Sequence, residues 1–219
     1  MRGVLAAANH AGIASAPEWA AIFDRLAAEA PDAGSALYAL GSPALLAEAT
    51  AEVVDRLARW GLLGPDRDVL EIGCGSGRFL EALAPQCKSL LGLDLSPGMA
   101  ARARERCAGL PNVRVLVTEG RDLALVPDAS VSVVLAADVF PYLHKAGPEV
   151  AARHVAEASR VLRPEGALAI FNYSYRGDLA RDRAELAGLS AAHGLTLAID
   201  GARLLRLWDA PAWLLRKPG

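Results

Sequence analysis

Gly73, Gly75 and Gly77 stand at alternate positions directly after the short apolar run of Val69, Leu70 and Ile72. Arg78 to Leu83 then resume helical spacing, with Phe79, Leu80 and Leu83 on one side. Strand, glycine loop and helix in that order leave free backbone amides at a helix N-terminus, where a ligand can lie. Glycine suits the loop because it reaches positive φ and brings no Cβ to hold a ligand off. Further on, Asp94 closes a second apolar run, Leu90 to Leu93. In a doubly wound sheet that side chain lies at the C-terminal edge beside the loop, where a carboxylate can accept hydrogen bonds from both ribose hydroxyls. The two features point to a ligand carrying adenosine. Asp94 alone does not choose between a nicotinamide dinucleotide and another adenosine cofactor.

Other chemistry-bearing residues gather after later apolar runs. Asn172-Tyr173-Ser174-Tyr175-Arg176 follows the fifth of them, and polar and aromatic residues at a strand's C-terminal end face the ligand in such sheets. Tyr173, Tyr175 and Arg176 are therefore candidate substrate contacts. Phe140 and Tyr142, after the fourth run, are candidates to shape the substrate pocket, where an aromatic face also favours positive charge. His144 is a candidate general base. His10, His154 and His193 show no metal-ligand spacing, so no metal is expected. Cys74, Cys87 and Cys107 are odd in number and lack C-x-x-C spacing, which reads as reduced thiols in a cytoplasmic protein.

Glu71-Ile72-Gly73-Cys74-Gly75-Ser76-Gly77 resembles the first motif of the class I S-adenosylmethionine-dependent methyltransferases, E/D-x-G-x-G-x-G. The spacing departs by one residue from the dinucleotide fingerprint G-x-G-x-x-G. Gly120-Arg121-Asp122-Leu123, Pro127 to Leu135, and Glu157 to Gly166 resemble the second half of the small-molecule members of that family. The likeness covers roughly residues 69 to 172. It implies that Gly73, Gly75, Gly77 and the Cys74 backbone run beneath the cofactor, that Glu71 orients its ammonium, and that Asp94 holds its ribose. It further implies that Leu95 and Met99 flank the adenine and that Arg121, Asp122 and Leu123 meet the adenine edge. Ala137 and Asp138 would lie beside the transferable methyl. Asp138, Tyr142 and His144 are then the candidates for a catalytic base, should the acceptor need one.

Three departures from the family pattern stand out. Arg121 intervenes before Asp122, Val131-Ser132 replaces Phe-Asp, and Glu165 replaces a glycine before the fifth strand. Asp138-Val139-Phe140-Pro141-Tyr142 has one residue too many, and one proline too few, for the amino-methylating motif [N/D]-P-P-[Y/F].

The elements that must position these residues read in order. Ser15-Ala16-Pro17-Glu18 matches a capping box, with Trp19, Phe23, Leu26 and Ala30 following at helical spacing. Pro31, Asp32 and Gly34 break that helix, and Ser42-Pro43 opens another that ends at Gly61. Strands are expected at 69–72, 90–94, 113–117, 131–136 and 167–172, with helices at 97–108, 148–162 and 178–193 between and after them. The tail reads as further strands at 195–199, 202–208 and 212–216, and connections so short must be antiparallel. The expected fold is α/β: a doubly wound seven-stranded sheet, mostly parallel with an antiparallel C-terminal hairpin. An N-terminal helical segment, residues 1–62, would pack beside the glycine loop as a lid or as packing, with the core at residues 63–219.

The chain of 219 residues carries a formal net charge of −2, which gives no nucleic-acid footprint. Lysine occurs only at 88, 145 and 217, so the positive charge is mostly arginine, as codon usage in a GC-rich bacterial genome produces, and no basic cluster forms. Asn9 and His10 interrupt the only stretch faintly like a signal peptide, and no apolar run approaches a membrane span. The reading is a cytoplasmic methyltransferase, monomer or homodimer, acting on a small-molecule acceptor with S-adenosylmethionine. The rival readings are a nicotinamide-dependent oxidoreductase and a methyltransferase-like domain that binds cofactor or partner without turnover.

Overall fold

The computed structural model describes residues 15–29 and 42–219. Asn9, His10, Ala30, Pro31, Asp32 and Gly34, named above, lie outside the described residues. Helix α1 (Ala16–Glu29) and helix α2 (Pro43–Arg59) precede the sheet. Strand β1 (Gly64–Ile72), helix α3 (Arg78–Leu83), strand β2 (Cys87–Asp94), helix α4 (Pro97–Arg106) and strand β3 (Val113–Val117) form the first half. The second half runs through β4 (Val131–Ala137), α5 (Phe140–Ala146), α6 (Pro148–Val161), β5 (Leu162–Phe171), α7 (Leu179–Ala192), β6 (Thr196–Arg203) and β7 (Pro211–Arg216).

One seven-stranded sheet has the order β3-β2-β1-β4-β5-β7-β6. The first five strands are parallel, whereas β7 is antiparallel to both β5 and β6. Each central strand is buried on both faces, so its residues alternate between two apolar cores. Val133, Leu135, Ala169 and Phe171 point to the side where Val53 and Leu57 of α2, Phe79 and Leu83 of α3, and Ala100 and Ala103 of α4 pack. Val134, Ala136, Leu168 and Ile170 point to the side covered by Phe140, Val155, Ala158 and Leu186. Each fully buried Val or Leu on these faces contributes about 1.5–3 kcal/mol.

Helix starts follow the side chains read from the sequence. Ser96 Oγ accepts from Met99 N at 3.0 Å and Asp178 accepts from Arg181 N at 3.0 Å, each satisfying an otherwise orphaned amide. At α1 the Ser15 hydroxyl instead donates to the Glu18 carboxylate at 2.5 Å. Glu165, standing where the family places glycine, takes the left-handed conformation that favours glycine, φ 64°. Its amide donates to Lys217 O at 3.1 Å, which ties the turn to the end of β7.

Two expectations change. Residues 195–208 make one strand, not two: β6 ends at Arg203, and 204–210 form no strand. Pairing irregularities on either side of Ile199, and Gly201 at φ 63°, turn the chain off the β7 edge. The amides of Arg206 and Leu207 then donate to the Glu52 carboxylate on α2, and Trp208 and Ala210 are buried in the core. The second difference is α5, between β4 and α6, where the sequence reading placed no element. Pro141 sits in its first turn, where a missing amide costs nothing.

Candidate functional site

The C-terminal ends of β1, β2 and β4 meet at a partly open cleft. Gly73, Gly75, Asp94, Leu95 and Met99 line one side, and Ala137, Asp138, Val139, Tyr142 and Phe23 the other. Gly73, Gly75 and Gly77 all have positive φ, at 67°, 52° and 83°. Space matters as much as dihedrals here. A Cβ on Gly73 would come within 2.6 Å of Val139 Cγ2, and one on Gly77 within 2.9 Å of the Ala103 backbone. Cys74 N donates to Leu93 O at 3.0 Å, so the loop is tied to β2 while the Cys74 thiol is buried beneath it.

Asp94 is almost wholly buried at the end of β2. Its Oδ2 accepts from Gly75 N at 2.7 Å and its Oδ1 from Ser96 N at 2.9 Å. Burial raises its pKa to about 6, against the backbone hydrogen bonds that lower it. Glu71, on β1 behind the loop, is 2% exposed, and its Oε2 has no hydrogen-bond partner among the described residues. Burial pushes its pKa well up, with Arg78 acting in the opposite direction.

Across the cleft, Asp138 leaves β4 with φ 60°. Asn172 Nδ2 donates to its Oδ1 at 2.7 Å and Tyr175 OH donates to the same oxygen at 2.9 Å. Burial raises the Asp138 pKa to about 6 in spite of those two bonds. Tyr142, from α5, meets Tyr175 edge-on at 5.9 Å between ring centres, and its own pKa is pushed up to about 12 by burial and the nearby Asp138.

Helix α1 closes this side. Trp19 and Phe23 meet the Tyr142 ring edge-on at 4.9 and 5.2 Å, and Met99 packs among the same residues. Asp24 Oδ1 accepts from Ser96 Oγ at 2.5 Å and from Gly98 N at 2.8 Å, so α1 caps the start of α4 from outside. Arg102 Nε donates to Ala27 O at 3.2 Å and fastens the far end.

The sheet order separates the two adenosine chemistries left open above. A dinucleotide sheet runs 3-2-1-4-5-6, mostly parallel, whereas here the antiparallel β7 is inserted between β5 and β6. Residues 70–170 match the family model described as a methyltransferase domain. Over those residues the chain carries a methyltransferase domain, and relatives it resembles there are S-adenosylmethionine-dependent. It is 38% identical over 100 residues to a probable S-adenosylmethionine-dependent methyltransferase of Mycolicibacterium smegmatis, a match covering 46% of this chain and 35% of the relative. It is 32% identical over 108 residues to demethylmenaquinone methyltransferase of Tropheryma whipplei, covering 49% of this chain and 42% of the relative. The chain thus spans less than half the length of these curated relatives. In fold it is similar to N-methyltransferase NodS from Bradyrhizobium japonicum WM9 in complex with S-adenosyl-L-homocysteine, with a TM-score of 0.68 at 19% identity over 91% of this chain and 98% of that one.

The cofactor of this methyltransferase domain is S-adenosylmethionine, and the residues present fit it. The unpartnered, buried Glu71 Oε2 is the kind of acceptor an ammonium group requires. Glu71 stands behind the loop, while Gly73, Gly75, Asp94, Leu95, Met99 and Ala137 line the cleft and would hold the rest.

Several sequence candidates sit elsewhere in the methyltransferase. Arg121 is exposed and pairs with Glu119 at 3.5 Å, and the Asp122 carboxylate accepts from Ala124 N at 3.0 Å. Leu123 is 1% exposed in the core, its amide bonds the Glu157 carboxylate, and its carbonyl accepts from Arg160. None of the three lines the cleft. Phe140 and Tyr173 are fully buried and stack on each other at 5.4 Å, so neither ring faces a substrate. The Tyr173 hydroxyl donates to Glu185 at 3.1 Å. Arg176 is held by Asp182 at 2.6 Å and Glu185 at 2.7 Å. The His144 side chain is 9% exposed against the Tyr173 ring, away from the cleft, and burial lowers its pKa. Sequence reasoning missed Phe23, Asp24 and Val139 as site residues. Phe23 was legible as an apolar helical position, but nothing in the sequence says that this face meets the cleft. Asn172 was legible only as a polar residue ending a strand.

Proposed function

We propose that this methyltransferase domain transfers the methyl group of S-adenosylmethionine to a small-molecule acceptor bound between Asp138, Tyr142 and Tyr175, in the cytoplasm. The observation that carries the reading is one shared cleft: the glycine loop and Asp94 form one wall, and Asp138 and Tyr142 form the other. The cofactor supplies an activated carbon, and the protein supplies position and electrostatics. Holding the acceptor in near-attack geometry is worth up to about 7–11 kcal/mol in favourable cases. Asn172 and Tyr175 fix the Asp138 carboxylate, and Tyr142 and Phe23 exclude water from the same space. Demethylmenaquinone, named as the substrate of one relative, is a small molecule, which supports that acceptor class. A formal charge of −2 and a cleft whose described lining holds no Lys, Arg or His also fit a small molecule better than nucleic acid.

Helix α1, as part of the segment 1–62, acts in this reading as a lid that walls the cleft through Phe23, which Trp19 backs against the Tyr142 ring. Calorimetry with S-adenosylhomocysteine, with NAD(P) as control, tests the cofactor half. Tight binding of the first and none of the second is expected; the reverse would defeat the proposal. Transfer of radiolabelled methyl into a cell extract, with mass identification of the product, tests the acceptor half. Label found only in RNA or protein would overturn the small-molecule reading.

A further inference from the structure

We propose that the methyl acceptor is an amine, bound as its ammonium ion by the Asp138 carboxylate and the rings of Tyr142 and Tyr175. This rests on the methyltransferase reading above and narrows it to a substrate class.

The two carboxylates of the cleft are held differently. Asp94 uses both oxygens on backbone amides, Gly75 N at one and Ser96 N at the other. Asp138 takes both of its bonds, from Asn172 Nδ2 and Tyr175 OH, on Oδ1. Among the described residues its Oδ2 takes no hydrogen bond, on a residue that lines the cleft. A carboxylate oxygen held in place and unpartnered is complementary to an N–H donor, and most strongly to a charged one.

The surrounding rings favour the same charge. Tyr142 is ringed by Trp19, Phe23 and Tyr175 at 4.9 to 5.9 Å between ring centres. This cluster already accommodates an alkylammonium: Lys145 Nζ lies 5.3 Å from the Trp19 ring centre and 5.7 Å from that of Tyr175. Anionic acceptors are disfavoured, because the described lining holds two carboxylates and no Lys, Arg or His.

An ammonium ion must lose one proton before its nitrogen lone pair is free, and Asp138 Oδ2 is placed to receive it. The bond formed is nitrogen to methyl carbon; the bond broken is methyl carbon to sulfur, whose electron pair stays on sulfur. Nitrogen regains a positive charge, so the product is again a cation among the same rings.

The test titrates the protein, saturated with S-adenosylhomocysteine, with dimethylethanolamine and with isoamyl alcohol, its uncharged carbon isostere. Binding is read by shifts of the Tyr142 and Tyr175 ring resonances. A preference of about tenfold or more for the amine is expected. Asp138→Asn should abolish it. Tyr175→Leu, at a half-exposed position that tolerates change, should reduce it severalfold and covers the case in which the first variant fails to fold. Equal binding of the two probes, or binding of neither, overturns the amine proposal. Failure to bind S-adenosylhomocysteine at all would instead defeat the methyltransferase reading beneath it.

Discussion

Asp138 and Asn172 leave the ends of neighbouring strands with the same left-handed backbone, φ 60° and 66°, and Asn172 Nδ2 donates a 2.7 Å hydrogen bond to Asp138 Oδ1. Two side-chain-bearing residues in that region cost about 1–2 kcal/mol each relative to ordinary backbone. The return on that strain is a fixed carboxylate at the rim of β4 and β5. Asn172→Gly relieves the backbone while deleting the donor. Melting temperature should hold within a few degrees, while methyl transfer falls about tenfold, the value of one charge-assisted hydrogen bond. Thermal melts beside initial rates check both halves; a loss of stability without a loss of rate would refute the positioning role.

The pH dependence follows from the same carboxylate. Asp138 binds its proton more tightly folded, at about 6, than at the reference value of 3.8. Between about pH 4 and 6 the native state therefore holds more protons, and stability falls as the pH rises through that window. The groups facing Asp138 are Asn172 and Tyr175 from the β5 exit, Tyr142 from α5 and Arg78 from α3; both tyrosines are pushed up and stay neutral here. Asp138→Asn keeps an oxygen for both existing donors and removes the charge. It should raise the melting temperature by a few degrees above pH 6, and the gain should vanish towards pH 4. Paired melts across that range decide the matter.

Gly73→Ala meets two obstacles at once, positive φ and Val139 Cγ2 at 2.6 Å. Stability should drop by about 1–2 kcal/mol from the dihedral alone. Adding Val139→Ala makes room for the methyl but leaves the dihedral, so the double variant should recover only part of the loss. Denaturant melts of the single and double variants measure that partition, and calorimetry with S-adenosylhomocysteine should show weakened binding in both.

Asp24 joins α1 to the first turn of α4. Asp24→Ala should cost about 1 kcal/mol, as loss of a helix cap does. Amide exchange should accelerate across residues 16–29 while the central strands stay protected. If α1 is a lid, cofactor affinity falls with it; unchanged affinity would reduce α1 to packing.

Tyr173→Phe separates core from site. The ring is fully buried, and its hydroxyl has a partner in Glu185, not in the cleft. Stability should fall by about 1 kcal/mol with KM for the acceptor unchanged. A raised KM would return Tyr173 to the substrate.

The glycine-and-carboxylate wall of the cleft was legible because its needs are local. A glycine at positive φ and a carboxylate ending a strand leave marks at the position concerned. The parallel strands were legible for a similar reason, since burial on both faces shows as unbroken apolar runs. Residues 121–123 misled because motif spacing says nothing about which way Leu123 turns, and Arg160 draws its carbonyl towards α6. Phe140 and Tyr142 look equivalent in sequence. Two steps along a short helix lie nearly on opposite sides, so one ring enters the core and the other the cleft. The tail was overcounted because Trp208 has strand character, yet it is spent covering the sheet.

The insertion of β7 between β5 and β6 also bears on how the molecule is made. During synthesis β6 leaves the ribosome before the strand that will hold it to the sheet. Until residues 211–216 follow, β5 keeps an unpaired border and residues 196–203 have nothing to pair with. The nascent chain therefore passes through a stage in which the border of the buried strand β5 lies open, a stage prone to association with a second copy or to capture by a chaperone.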